Sequence, residues 1–297
     1  MSLPSTEVFE QHRGLLLGAA YRILGSRSDA DDVVQDAWLQ WSAVDHDDIE
    51  VPRAYLLRIT TRLALNRLRH LASRKETYVG PWLPEPVAGA LTSSPVGDGA
   101  AAAELADEVS MALLIVLESL SPLERAAFVL GEVFAMSAPE VAGALDRSPA
   151  AVRQLLHRAR SHVRARQPQR PVDAAVHRRV TERFIAAAAG GDVEALIELL
   201  SPDVVLVTDG GGIRQAALRP IQGVDKVLRW FAGVMSKPES AASAFVLRRV
   251  NGEDAVVVTA DDQLDGVLFL TVESSDAGER ITAVHGIRNP EKLGAMG

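Results

Sequence analysis

The sequence predicts a multi-domain chain in which two all-α segments, the second carrying a helix-turn-helix, precede an α+β domain. Three observations predict it. Apolar residues recur at helical spacing through most of Glu7 to Arg166, proline-bearing breaks at Thr77–Ala103 and Gln167–Pro171 part the chain, and alternating apolar runs with turn dipeptides gather after Leu200. With 297 residues, 47% hydrophobic and 24% charged, there is material for two or three cores. No apolar run reaches the length of a membrane span, and MSLPSTEVFEQHRG lacks the basic-then-apolar order of a signal peptide. The absence of cysteine excludes disulfides, thiolate metal sites and thiol redox sensing. A cytoplasmic protein without metal or cofactor is the expectation.

The formal charge of -8 is unevenly spread. Glu50–Gly80 holds seven Lys or Arg against two acids, and Asp146–Val180 nine Arg against two acids. Pro81–Leu145 holds nine acids and one Arg, and Thr181–Gly297 seventeen acids and eleven bases. Two basic islands in an acidic chain suit contacts with nucleic acid through local patches.

In chain order, Val8, Leu15, Leu16, Ala19, Ile23 and Leu24 form one amphipathic helix, broken at Gly25–Ser28. DADDVVQDAWLQW follows, with Val33, Ala37 and Trp38 facing inward and Asp31, Asp32, Gln35 and Asp36 on one acidic surface suited to a basic partner. A first turn made acidic to suit the helix dipole explains Asp29–Asp32 but less well Asp36 and the neighbouring Trp38. Pro52 starts the basic helix PRAYLLRITTRLALNRLRHLASRK, with Arg58, Arg62, Asn66, Arg69, Arg74 and Lys75 off its apolar stripe. In the break that follows, GPWLPEPV is too apolar for a passive spacer, and Trp82 and Leu83 held by flanking prolines read as a docking segment. Helical pattern returns from Ala101 to Leu120.

The helix-turn-helix follows. Ser137 opens a short helix through Leu145, Asp146–Ser148 interrupt it, and Ser148 as N-cap with Pro149 starts a second helix whose buried stripe is Val152, Leu155, Leu156 and Ala159. Its other face carries Arg153, Gln154, His157, Arg158 and Arg160, which suits a helix laid in the DNA major groove: Arg reads guanine edges, Gln adenine edges, and Arg147 and Ser148 are placed for phosphates. A solvated basic face on an ordinary helical hairpin is the bland reading of the same residues.

Beyond QPQRP, helices at Val172–Ala189 and Asp192–Leu200 precede a strand, a helix at Val224–Met235 and three or four further strands, with turns expected at Gly210–Gly212, Asn251-Gly252, Asp265-Gly266 and Asp276–Gly278. Asp209, Asp261, Asp262 and His285 are ionisable candidates near strand ends, although a carboxylate beside GGG equally suits a turn cap and His285 a core position.

Taken together, DADDVVQDAWLQW, the basic helix and LSPLERAAFVLGEVFAMSAPEVAGALDRSPAAVRQLLHRAR resemble the two conserved regions of an extracytoplasmic-function (ECF) sigma factor over Glu7–Arg166, and the rest resembles a cone-shaped SnoaL-like domain of the NTF2-like fold. WLPEP, DGGG at Asp209–Gly212 and NPEKL at Asn289–Leu293 resemble the signatures of the group with such a domain fused at its C-terminus. The resemblance implies a sigma region 2 domain at 1–76, a linker at 77–103, a region 4 domain at 104–167 and a SnoaL-like regulatory domain at 172–297. It implies that Asp31, Asp32, Gln35, Asp36 and Trp38 bind the clamp helices of the largest subunit of core RNA polymerase. The loop near Asp45–Val51 with Arg58, Arg62, Asn66 and Arg69 would take the minus-ten element of promoter DNA, and Arg147, Ser148, Arg153, Gln154, His157 and Arg158 the minus-thirty-five element. It implies no catalysis and no membrane, and regulation in cis through Trp82, Leu83, Pro84, Asp209, Gly210, Gly211, Gly212, Asn289 and Pro290, with room for an unknown small-molecule ligand in the C-terminal domain. Two competing readings stand at this point. One is a one-component regulator that binds a ligand and an operator without polymerase, which leaves the acidic helix unexplained. The other is an isomerase-type enzyme with an appended DNA-binding region.

Overall fold

The computed structural model describes residues 5–46, 48–88, 110–237, 243–276 and 278–296, with 72–76 as backbone. The helical expectation over 101–109, the later part of the proline-rich break and the middle of the Asp276–Gly278 turn lie outside the described residues. The chain forms two compact units, one of residues 1–76 and 90–167, the other of 77–89 and 168–297. Among the described residues no helix is long and apolar enough to cross a membrane.

In the first unit, α1 (Ser5–Leu24), α2 (Arg27–Ser42) and α3 (Pro52–Glu76) pack together. Ser26 caps α2 by accepting from the Asp29 N–H, so the helix begins ahead of Asp29. Leu16, Ile23, Leu24, Val34, Ala37, Leu56 and Leu57 are buried between the three helices, each large aliphatic side chain contributing about 1.5–3 kcal/mol. Trp41 is buried too, and its indole donates to the Ser5 carbonyl at 2.8 Å.

The same unit continues through α4 (Met111–Glu118), α5 (Pro122–Phe128) and a π-helical turn at Val129–Val133 to α6 (Ala138–Leu145) and α7 (Pro149–Arg166). Ser121 and Ser137 form reciprocal capping boxes with Glu124 and Glu140, and Ser148 accepts from the Ala151 N–H at 3.2 Å. Each such cap is worth about 1 kcal/mol. Asp146 takes the left-handed conformation at φ 55°, which ends α6 and turns the chain into α7.

In the second unit, α8 (Ala174–Gly190) and α9 (Val193–Leu199) precede β1 (Leu200–Asp209), β2 (Ile221–Gln222), α10 (Val224–Met235), β3 (Ser243–Val250), β4 (Glu253–Ala260), β5 (Gln263–Ser275) and β6 (Gly278–Ile287). The sheet order is β2-β1-β6-β5-β4-β3, with β1 and β6 parallel and every other neighbouring pair antiparallel. Phe184, Leu196, Leu199, Val204, Leu206, Val227, Val256, Leu270, Val272, Ile281 and Val284 form the core between helices and sheet.

One expected turn moves. Asp265 and Gly266 lie inside β5, and the chain reverses instead at Asp261 and Asp262, both at positive φ. Gly266 is a close-approach glycine: a Cβ there would come within 2.9 Å of the Ile287 carbonyl oxygen. Asp261 and Asp262 are therefore exposed turn residues.

Candidate functional site

On α7, Arg153, Gln154 and His157 are exposed and line a shallow concavity with Ala150 and Arg158. The buried stripe Val152, Leu155, Leu156, Ala159 and Val163 fixes which face that is. The flanking residues are engaged within the fold. Arg158 donates to Glu124 at 2.7 Å, Arg160 to Glu132 at 2.6 Å, Arg147 to the Asp146 carbonyl at 2.8 Å, and the Ser148 hydroxyl is occupied as the N-cap. The Arg158 and Ser121 contacts hold the Glu124 carboxyl below its ordinary range.

On α2, Gln35 and Asp36 are exposed, Asp31 pairs with Arg27 at 2.8 Å, and Arg67 of α3 bridges Asp29 at 2.6 Å and Asp32 at 3.5 Å. Trp38 is half-buried, edge-on to Phe9 at 5.0 Å, and Leu39 beside it is exposed. On α3, Arg58 lies over the Tyr55 ring at 4.8 Å and Arg69 donates to Asn66 at 2.5 Å. Arg62 turns to the helix-turn-helix and donates to the carbonyls of Gly143 and Ala144 on α6, both at 3.3 Å. Two other arginines reinforce that packing. Arg53 donates to the Phe134 carbonyl at 3.1 Å, and buried Arg125 donates to the Ile23 carbonyl at 2.8 Å and to Glu118 at 2.9 Å. In this unit the basic helix and the helix-turn-helix are in contact.

In the second unit, residues 77–88 are a strap pinned at two places on the sheet. At one end Asp209, fully buried at the end of β1, accepts from the Tyr78 hydroxyl at 2.5 Å, the Leu83 N–H at 2.9 Å, the Gly211 N–H at 3.1 Å and the Lys292 ammonium at 2.7 Å. Lys292 also donates to the Leu83 carbonyl at 2.5 Å and lies 3.3 Å from the centroid of the Trp82 ring and 5.0 Å from that of Tyr78. Burial and the neighbouring carboxylate push the Tyr78 hydroxyl up from its ordinary value, which keeps it a donor. Asn289 donates to that hydroxyl at 2.8 Å. A Cβ on Gly211 would fall 2.4 Å from the Asn289 amide nitrogen, so only glycine fits at that position's φ of 62°.

At the other end of the strap, Val87 N–H donates to the Asn251 side chain and the Val87 carbonyl accepts from the Asn251 N–H, both at 2.9 Å. WLPEP, DGGG and NPEKL thus meet at one place. Leu83, Pro84 and Val87 are buried, and Trp82 is half-buried.

His285 does not enter the cone. Val284 beside it belongs to the core, so alternation along β6 turns His285 to the opposite face of the sheet, where burial pushes its imidazole down to about 4. With Asp209 held in an ion pair and Asp261 and Asp262 in a turn, the ionisable candidates do not converge.

Residues 8–74 match the family model for sigma-70 region 2, residues 110–163 that for sigma-70 region 4, and residues 181–288 that for a SnoaL-like domain. Along 99% of its length and 93% of the relative's, the chain is 38% identical to the ECF RNA polymerase sigma factor SigJ of Mycobacterium tuberculosis. The chain belongs to the ECF sigma factor family. A second relative, the probable ECF RNA polymerase sigma factor SigI of the same organism, is 33% identical over 98% of the chain and 95% of the relative. The crystal structure of M. tuberculosis SigJ superposes with a TM-score of 0.74 at 36% identity, covering 98% of the chain and 97% of the other. These relatives support the promoter-factor reading over the operator-binding alternative.

Sequence reasoning about this sigma factor missed Tyr78, Asn251 and Lys292. Lys292 lay within a recognised motif, NPEKL, and that membership was the available signal.

Proposed function

We propose that the chain serves RNA polymerase as a promoter-specificity factor, with the SnoaL-like unit and its strap governing in cis how far the two sigma regions can part. The acidic face of α2, with Gln35, Asp36 and the adjoining Trp38 and Leu39, is the surface for the polymerase clamp helices. Arg58, Asn66 and Arg69 serve the minus-ten element, and Arg153, Gln154 and His157 the minus-thirty-five element. Arg147, Ser148 and Arg158 take supporting positions at its edge.

The observation that carries the regulatory part is the bond from Arg62 to α6. Elements about 25 base pairs apart are separated by roughly 80 Å of duplex, whereas α3 and α6 touch at 3.3 Å. The packed unit cannot hold both elements at once and must open. Docking of 77–88 withdraws about 40 Å of extended chain from the connection between α3 and α4, so strap and opening compete.

The test is promoter-specific transcription by core RNA polymerase with the full chain, with Trp82→Ala and with a truncation ending near Arg170. Initiation that depends on the protein is expected, and altered output from both variants. Absence of initiation on every promoter of a genomic library would overturn the promoter-factor reading. Unchanged output and unchanged domain arrangement for Trp82→Ala would overturn the role of the strap.

A further inference from the structure

The second unit holds an apolar cavity of about 250 Å³ between α8, α9, α10 and the sheet. Phe184, Leu196, Trp230, Phe231, Phe245 and Leu268 are among its walls. Helix α10 explains why it stays open. Its apolar residues Val224, Val227, Leu228, Trp230, Phe231, Val234 and Met235 call for a partner, yet only Val227 is buried. Among the described residues two charged side chains line the cavity, Asp265 and Arg288, and they neutralise each other at 2.7 Å while Arg288 also donates to the Gln215 carbonyl at 2.9 Å. Among these described wall residues an ionic ligand has no uncompensated charge to meet. A cavity of about 150 Å³ with apolar walls takes a benzene ring, so this one has room for a molecule of about two fused rings.

The cavity also has a physical route to the strap. Arg288 is the wall residue, and its own N–H donates to the Asp209 carbonyl at 2.7 Å, as does the next N–H, of Asn289, at 3.1 Å. Asp209 is the residue whose carboxylate anchors Tyr78, Leu83 and Lys292. A ligand that shifts Arg288 against Asp265 therefore acts on the backbone that positions the strap anchor.

We propose that this cavity binds a small, neutral, apolar molecule of about two fused rings and that its occupancy is coupled to strap docking through Arg288 and Asp209. The coupling deepens the regulatory reading above and rests on it. By reciprocity, whatever occupancy does to the strap, loss of the strap does to occupancy by the same factor.

The experiment uses the full chain without polymerase and the uncharged two-ring fluorophore 1-naphthylamine, so its outcome is independent of promoter activity. Saturable, one-to-one fluorescence enhancement is expected, with affinity at least tenfold weaker in Ala188→Phe, which fills the cavity. Ala232→Trp places bulk at the same wall from an exposed position and is expected to weaken binding at least threefold without touching the core. No saturable enhancement, or wild-type affinity in both variants, would overturn the ligand site. Trp82→Ala is expected to change the dissociation constant at least threefold, and an unchanged constant would overturn the coupling.

Discussion

Replacing Lys292 by Met keeps the aliphatic stem and removes the ammonium that holds the strap. Lys292 is 3% exposed and Asp209 0%, so the substitution leaves a carboxylate in the interior without its counter-ion. Breaking a buried pair from one side costs about 3–5 kcal/mol. The Tyr78 hydroxyl and the Leu83 and Gly211 N–H groups still donate to Asp209, which places the cost near the lower end, about 3 kcal/mol. The loss falls on strap docking, because the core of Phe184, Leu206, Val256 and Val284 is untouched. At 1.4 kcal/mol per factor of ten, the undocked population rises about a hundredfold. Chymotrypsin, which requires an accessible Tyr78 or Trp82, reads that population when docking and release are fast relative to cleavage. The cleavage rate at these sites is expected to rise by about that factor. Adding Asp209→Asn, which leaves neither charge buried alone, is expected to recover part of the protection. A single substitution cleaved within threefold of the wild-type rate, or a double no better than the single, would refute the reasoning.

Further expectations concern other parts of the molecule. Gly211→Ala brings a Cβ against Asn289 at a positive φ and is expected to loosen the Asn289–Tyr78 contact, read as faster cleavage in the same assay. His285 is neutral when folded, with a value of about 4 against about 6.5 unfolded, so the unfolded chain binds the extra proton between those limits. Stability is full above pH 6.5 and falls by up to about 3 kcal/mol as pH drops toward 4; His285→Gln should flatten that part of a denaturation series. Arg62→Ala removes the two donors to α6 and should weaken the contact between α3 and α6 by about 1 kcal/mol, measured as a longer mean distance between fluorophores on those two helices. Arg153→Ala should cost about 1–3 kcal/mol of promoter binding at one base position while leaving other positions unchanged, measured by binding to a set of single-base variants.

Local chemistry made the helical part legible. Ser137 and Ser148-Pro149 announce the starts of α6 and α7, and each cap is in place because its partner lies three residues away. Turn dipeptides served where side-chain chemistry demanded positive φ, as at Asn251-Gly252, and misled at Asp265-Gly266, where the glycine serves a close backbone approach across the sheet. The strap site was legible only as three motifs. What joins them is a pairing between Asp209 and Lys292 across 83 residues of sequence, with Tyr78 another 131 residues before Asp209, and no periodicity records such a contact. The engagement of Arg62 by α6 is hidden for the same reason: a basic helix looks alike whether its arginines await phosphate or cap a neighbouring helix.

The two pieces of the second unit bracket the helix-turn-helix in the chain, and this order has a temporal consequence. Lys292 leaves the ribosome 209 residues after Leu83, roughly 10–40 s later at ordinary rates of synthesis. Helices α4 to α7 are made within that interval, and α1 to α3 before it, while the strap still lacks its anchor. Each new molecule therefore passes through a period in which its helical unit can fold before Lys292, the anchor of the strap, has been translated.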